Sequence, residues 1–272
     1  MMTSTYRGPL RLAVFDYAGT TVDYGCCAPA AVFIEGYRRQ GVEITMAQAR
    51  APMGMEKRAH IRTIGEMPEV AAQWQQVHGR AMHEADVDAM YADFVPLLLA
   101  VLESYSTLIP GVLDTVVALR QQGILIAGTT GYFTEALDIV RTAAERQGYQ
   151  ADFNICATQV SAGRPAPWMI YRTMEALNVY PPQAVMKIGD TVVDVEDGLN
   201  AGVWTIAVAQ TGNEVGLQEA EWLALDATAR DVLLRQARAK LQAAGAHFVI
   251  DSVAELPSVV AAINQRLQGQ DG

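Results

Sequence analysis

No run of apolar residues in this chain approaches the roughly 20 needed to cross a bilayer, and lysines and arginines form no block. The first absence argues against a helical membrane span. The second argues against nucleic acid and anionic membrane as partners. Cysteine is scarce: Cys26, Cys27 and Cys156 are an odd set with two adjacent members. That usage excludes a disulfide framework and suits a reducing compartment, so a cytoplasmic location is expected. The opening residues, MMTSTYRGPLRLAVF, lack the basic start and long apolar stretch of a signal peptide. No internal repeat or low-complexity tract is visible.

What is present is apolar and acidic. Hydrophobic residues make up 51% of the 272, enough for a sizeable core, and the length allows one large domain or one domain with an insert. Thirty acids against twenty bases leave a net charge of −10. Any anionic substrate would therefore have to meet positive charge concentrated at one place.

Six short apolar runs read as strands: 12–15, 124–128, 153–157, 184–189, 204–209 and 247–250. Most are continuous rather than alternating, as in parallel sheets covered on both faces. Helical segments separate them. One follows Pro110-Gly111 and closes at Gly123, one is capped by Thr134, and the last is capped by Asp251 with Glu255 nearby. The expected fold is α/β, a doubly wound, Rossmann-like parallel sheet. The first hundred residues after the first strand break this rhythm. They read as helices over 29–40 before Gly41, 46–51 after Thr45, 55–64, 68–80 with Pro68 in the first turn, and 87–103 capped by Asp86. The expected organisation is an α/β core of residues 1–22 and 104–272, with an all-helical cap of residues 23–103 inserted after the first strand.

Ligands of open α/β sheets sit at the carboxyl ends of the strands. Asp16 ends the first strand. Thr129, Thr130, Gly131 and Tyr132 end the second. Arg164 lies in the loop after the third, and Asp190 and Asp194 follow the fourth. Together these are three carboxylates, two hydroxyls, a glycine-rich turn and one guanidinium. Carboxylate oxygens suit Mg²⁺, which joins one or two of them to a substrate phosphate. Hydroxyls, backbone N–H groups and arginine suit phosphoryl oxygens.

Five stretches carry a resemblance: DYAGTTVDYGCCAP at 16–29, PMGMEKRAH at 52–60, TTGYFTEALDIV at 129–140, AGRPAPWM at 162–169 and KIGDTVVDVEDGLNAGVWT at 187–205. The order of motifs resembles the haloacid dehalogenase superfamily of phosphoryl-transfer enzymes. Ala18 combined with MGxxK resembles, within it, the phosphonatase family, which hydrolyses phosphonoacetaldehyde. The resemblance implies P–C cleavage to acetaldehyde and phosphate during 2-aminoethylphosphonate degradation. It implies Asp16 as the nucleophile that takes the phosphoryl group and Lys57 as the amine that forms a Schiff base with the aldehyde. It implies Mg²⁺ on Asp16, Asp190 and the carbonyl of Ala18, with Asp194 orienting behind them. Thr130, Gly131 and Arg164 would bind the phosphoryl group. Cys26, Met53, His60 and Tyr132 would surround the lysine and substrate. It also implies a homodimer joined through the cap. Tyr17 and Cys27 stand where that family often has other bulky residues.

If the resemblance holds, an alanine at position 18 has a physical rationale. A phosphatase expels an alkoxide, and an acid two residues past the nucleophile can protonate it. A P–C bond leaves carbon instead. An imine on Lys57 lets the departing carbon become an enamine, so an amine is needed rather than a second acid. Ala18 also leaves room for the lysine. That amine must be neutral, which burial under a closed cap and positive neighbours such as Mg²⁺ and Arg58 would favour. Without the resemblance, Lys57 between Glu56 and Arg58 reads as a solvated helix residue. Other chemistries on the same scaffold fit less well. Phosphomonoester hydrolysis or mutase chemistry would lack the acid at 18, metal-free dehalogenation would not use Asp190 and Asp194, and a purely binding protein would not need the full set.

Overall fold

In the computed structural model, residues 6–269 are described, so residues 1–5 and 270–272 of the expected core lie outside it. All six apolar runs form strands: β1 (Leu12–Phe15), β2 (Leu125–Thr130), β3 (Phe153–Cys156), β4 (Val185–Gly189), β5 (Trp204–Val208) and β6 (Phe248–Ile250). They pair in parallel in the order β3-β2-β1-β4-β5-β6. Chain direction reverses its progress across the sheet between β1 and β4, which is where such folds open a binding crevice. Alternate residues of β1 serve opposite layers. Leu12 and Val14 pack with Ile170 and Met174, while Ala13 and Phe15 join the core that includes Val116, Leu137 and Ile263.

Five helices lie between β1 and the chain's return to the sheet: α1 (Cys27–Arg39), α2 (Met46–Arg50), α3 (Lys57–Gly65), α4 (Pro68–His78) and α5 (Glu84–Leu102). The core adds α6 (Val112–Gln121), α7 (Thr134–Arg146), α8 (Trp168–Ala176), α9 (Val192–Ala201), α10 (Glu219–Ala224), α11 (Ala227–Ala243) and α12 (Leu256–Leu267). Among the described residues no helix is long and apolar enough to cross a membrane. The two connections to the insert run side by side: Val22 bridges Leu108, and the Ile109 N–H donates to the Thr21 carbonyl at 2.9 Å.

Three expected caps sit elsewhere. Asp86 is inside α5 rather than before it; its carboxylate accepts from the His83 N–H at 2.8 Å, so the helix gains its first turn from an acid at the third position. Thr134 is the first residue of α7 and makes no cap; its hydroxyl lies 3.3 Å from that of Thr158. Asp251 pairs with Arg238 instead, and Ser252 caps the short turn before α12. Thr45 does cap α2. Its hydroxyl accepts from the Gln48 N–H at 3.2 Å, and the Gln48 side chain accepts in return from the Thr45 N–H at 2.8 Å. Thr45→Ala is expected to cost about 1 kcal/mol. That is a fall of about 2–4 °C in thermal midpoint for a chain of this size, and an unchanged midpoint would deny the cap its role.

Candidate active site

The carboxyl ends of β1 and β4 place Asp16 and Asp190 side by side, and the first turn of α9 adds Asp194. Oxygens of the three lie within 4.8 Å of one another, and all three are buried. The DYAGTT turn is shaped by this proximity: Gly19 has φ +82°, and a Cβ there would lie 2.2 Å from an oxygen of Asp190.

The three acids are not equivalent. Asp194 is bracketed by cations, 2.7 Å from the Lys187 Nζ and 2.9 Å from the Arg164 Nη1, and accepts from the Thr191 hydroxyl at 2.6 Å. Burial alone would raise it, yet Arg164 and Lys187 hold it down to about 2. Asp16 accepts from the Arg164 Nη2 at 2.9 Å, and burial still pushes it above its ordinary value. Asp190 accepts from the Thr20 hydroxyl at 3.1 Å and the Asn213 N–H at 2.8 Å, and forms no ion pair among the described residues. Burial, then the charges of Asp16 and Asp194, push it well above the carboxylate range.

This imbalance leaves negative charge for a metal ion to neutralise. Lys187 and Arg164 serve Asp194, so the uncompensated charge belongs to Asp190 and in part to Asp16. The carbonyl of Ala18 takes no hydrogen bond from another described residue. Two carboxylates and a carbonyl, all oxygen donors, suit a hard divalent cation. Asp194 contributes by orienting Arg164 and Lys187.

Arg164 is fully buried and gathers the carboxylates on this side of the crevice. It reaches Asp16, Asp194, the Thr129 hydroxyl at 2.7 Å and Asp197 at 3.6 Å. Lys187 and Asp197 were missed by sequence reasoning. Lys187 interrupts an apolar strand buried on both faces, and a lysine there must find a carboxylate, which was the available signal. Asp197 lies three positions after Asp194, one helical turn on, and burial raises it to about 7.

The insert closes over this crevice. Lys57 begins α3, is 4% exposed, and lines a small cavity with Asp16, Ala18, Thr130, Gly131 and Arg164. Cys26, Met53 and Tyr132 line it too. The space in it is about 10 Å³, near the size of one water position. Burial pushes the Lys57 ammonium down from its ordinary value, with Arg164 adding to the effect against Asp16 and Glu56. Its place at a helix N-terminus acts in the same direction. Arg58 is not a neighbour that matters here: it faces outward and pairs with Glu84 at 2.7 Å and Asp88 at 2.6 Å. The amine lies 4.9 Å from the centre of the Tyr132 ring and 5.8 Å from that of Phe33. Burial keeps the Tyr132 phenol and the Cys26 thiol neutral.

His60 is not on the cavity wall. Its Nε2 donates to the Ala49 carbonyl at 2.9 Å, its ring stacks on Phe33 at 3.8 Å, and burial keeps it neutral. It supports the floor beneath Lys57 through Phe33. The loop before α3 rests on the core by backbone: a Cβ at Gly131 would lie 2.4 Å from the Met55 carbonyl and 2.7 Å from that of Gly54. Gly131→Ala is expected to prop this contact open and lower kcat/KM about tenfold or more, because small misplacements at a reacting centre are costly. Wild-type kinetics would show that the contact is not needed.

Comparison with known proteins places this geometry. A family model for haloacid dehalogenase-like hydrolases matches residues 10–202, and a second model for similar hydrolases matches residues 161–256. A protein of Nitratidesulfovibrio vulgaris named phosphonoacetaldehyde hydrolase is 43% identical over 100% of this chain and 97% of its own. A Clostridioides difficile protein named bifunctional phosphonoacetaldehyde hydrolase/aminoethylphosphonate transaminase is 43% identical over 95% of this chain and 41% of its own. The crystal structure of a phosphonoacetaldehyde hydrolase-like protein from Oleispira antarctica aligns at a TM-score of 0.95 and 37% identity, over 100% of this chain and 99% of its own.

Proposed function

Since the chain belongs to the phosphonoacetaldehyde hydrolase family of haloacid dehalogenase-like hydrolases, we propose that it cleaves the P–C bond of phosphonoacetaldehyde through a Schiff base on Lys57 and a phosphorylated Asp16. The observation that carries this reading is the buried Lys57 amine sharing a small cavity with Asp16, where residue 18 is alanine.

The Lys57 amine adds to the aldehyde and water leaves, giving an imine. A carboxylate oxygen of Asp16 then attacks phosphorus. The P–C electron pair moves into the imine carbon–nitrogen system, so an enamine forms rather than a free carbanion. Protonation of the enamine carbon and hydrolysis of the resulting imine release acetaldehyde and restore Lys57. A second water attacks the phosphorus of the aspartyl-phosphate, freeing phosphate and Asp16. Arg164, the Thr130 hydroxyl and the Gly131 backbone hold the phosphoryl oxygens, and Asp194 and Lys187 fix Arg164 in place. Asp16, Asp190 and the Ala18 carbonyl would hold Mg²⁺, which would supply positive charge to offset that of the phosphoryl group.

Residues 23–103 act as a cap in this reading. The cavity has no room for substrate as it stands, so the cap opens to admit it and closes to exclude water. The C. difficile relative names a transaminase on the same chain, which supports supply of the aldehyde from 2-aminoethylphosphonate. The insert exposes Met46 and Val77, apolar side chains that a second copy would cover in a homodimer; a one-chain mass by light scattering would contradict that. The activity itself is tested by Mg²⁺-dependent acetaldehyde release, coupled to NADH oxidation by alcohol dehydrogenase. Faster phosphate release from simple phosphomonoesters than from phosphonoacetaldehyde would overturn the reading.

A further inference from the structure

One arginine of the insert stands apart from every role above. Arg50 ends α2, is half-buried, and forms no ion pair among the described residues. It does not line the Lys57 cavity. Its guanidinium hydrogen-bonds only to neutral groups, the Cys27 sulfur at 3.6 Å among them, and the Asp23 carboxylate lies near enough to feel its charge. Nη1 donates to the carbonyls of Gly25 at 2.8 Å and Cys26 at 3.2 Å and to the Asn213 Oδ1 at 3.1 Å; Nη2 donates to the Gly216 carbonyl at 3.0 Å. The Asn213 amide answers by donating to the Arg50 carbonyl at 3.2 Å.

These partners fall in two places. Gly25 and Cys26 belong to the connection between core and insert. Asn213 and Gly216 belong to the core loop after β5. That loop also lies against the metal-site acids: the Asn213 N–H donates to Asp190, and a Cβ on Gly212 would lie 2.4 Å from the Asp190 Cβ. It holds the nucleophile's turn as well, since the Thr211 hydroxyl donates to the Gly19 carbonyl at 2.8 Å, and it holds the connection, since the Gly25 N–H donates to the Thr211 carbonyl at 2.7 Å.

We infer that Arg50 is a positioning residue that latches the insert to the loop 211–217 and, through Asn213, sets Asp190 in place for its metal ion. The inference rests on the metal assignment made above but not on the Schiff base. Only a planar fork with several fixed donors can span this set of acceptors, which a lysine cannot reproduce. The latch ties the position of the insert to the readiness of the metal site. Partners one shell behind a metal ligand commonly change affinity by about 10–100-fold.

The test uses the full chain and Mg²⁺ alone, with no substrate. Arg50→Met is expected to weaken Mg²⁺ binding about tenfold by calorimetry, at the low end of the range for such outer partners. It should also speed hydrogen exchange of the amides in 211–217 while leaving those of β4 and α12 at wild-type rates. Asn213→Ser removes the side-chain link but keeps the N–H to Asp190. It should reproduce the exchange change, and the double variant should bind Mg²⁺ no worse than Arg50→Met, because the two act as one unit. If Arg50→Met does not fold, Asn213→Ser carries the exchange test. Wild-type Mg²⁺ affinity and exchange in the variants, or full recovery in Arg50→Lys, would overturn the inference. Failure of imine trapping in the wild type would instead bear on the Lys57 reading and leave this one standing.

Discussion

Lys57→Ala is expected to lower kcat for acetaldehyde release by at least about 10⁴-fold, the scale seen when a covalent catalytic group is removed. The loss should appear in kcat and not as a change in KM alone, since among the described residues no other amine lines the cavity. In the wild type, kcat/KM should fall as pH drops below the Lys57 pKa, which lies below the ordinary lysine value because the amine is buried. The same burial has a stability consequence with a definite sign. A base whose folded pKa is lowered binds fewer protons folded than unfolded, so at neutral pH it costs stability, and that cost fades as pH rises toward the unfolded lysine value. Lys57→Met should therefore be inactive yet unfold at a higher temperature than the wild type. An inactive variant that is also destabilised would point to damaged packing instead.

Ala18→Asp is expected to lower kcat/KM at neutral pH by about 10²–10³-fold. Ala18 lines the cavity with Asp16 and Lys57. A carboxylate placed there holds a nearby ammonium in its charged form, and an opposite charge at such range moves a pKa by about one to three units. Each unit removes about nine-tenths of the reactive amine. The deficit should shrink as pH rises and the amine deprotonates. Ala18→Asn fills similar space without charge and should lose far less. Equal losses in the two variants, independent of pH, would assign the effect to crowding alone.

The α/β framework was legible because its signals are local. Continuous apolar runs mark buried strands, and all six fall where the structure has them within one or two residues. Strand-end acids such as Asp16 and Asp190 follow from that framework, because topology alone brings strand ends together. Lys57 was not legible in this way. Glu56 and Arg58 beside it are the surroundings of a surface lysine, and burial arises only when the loop before α3 docks on Gly131, a contact between residues more than seventy apart. Its role came from resemblance. Helix starts failed where a partner outside the local sequence won the capping residue, as Arg238 won Asp251. Arg50 and Asn213 gave no signal, since each bonds mostly to backbone or amide groups far along the chain.

The most direct test is borohydride reduction of the wild-type enzyme turning over phosphonoacetaldehyde with Mg²⁺, followed by peptide mapping. The account predicts inactivation that requires substrate, with a single reduced two-carbon adduct on Lys57. Unmodified Lys57 in an enzyme still releasing acetaldehyde, or an adduct on another lysine, would contradict it.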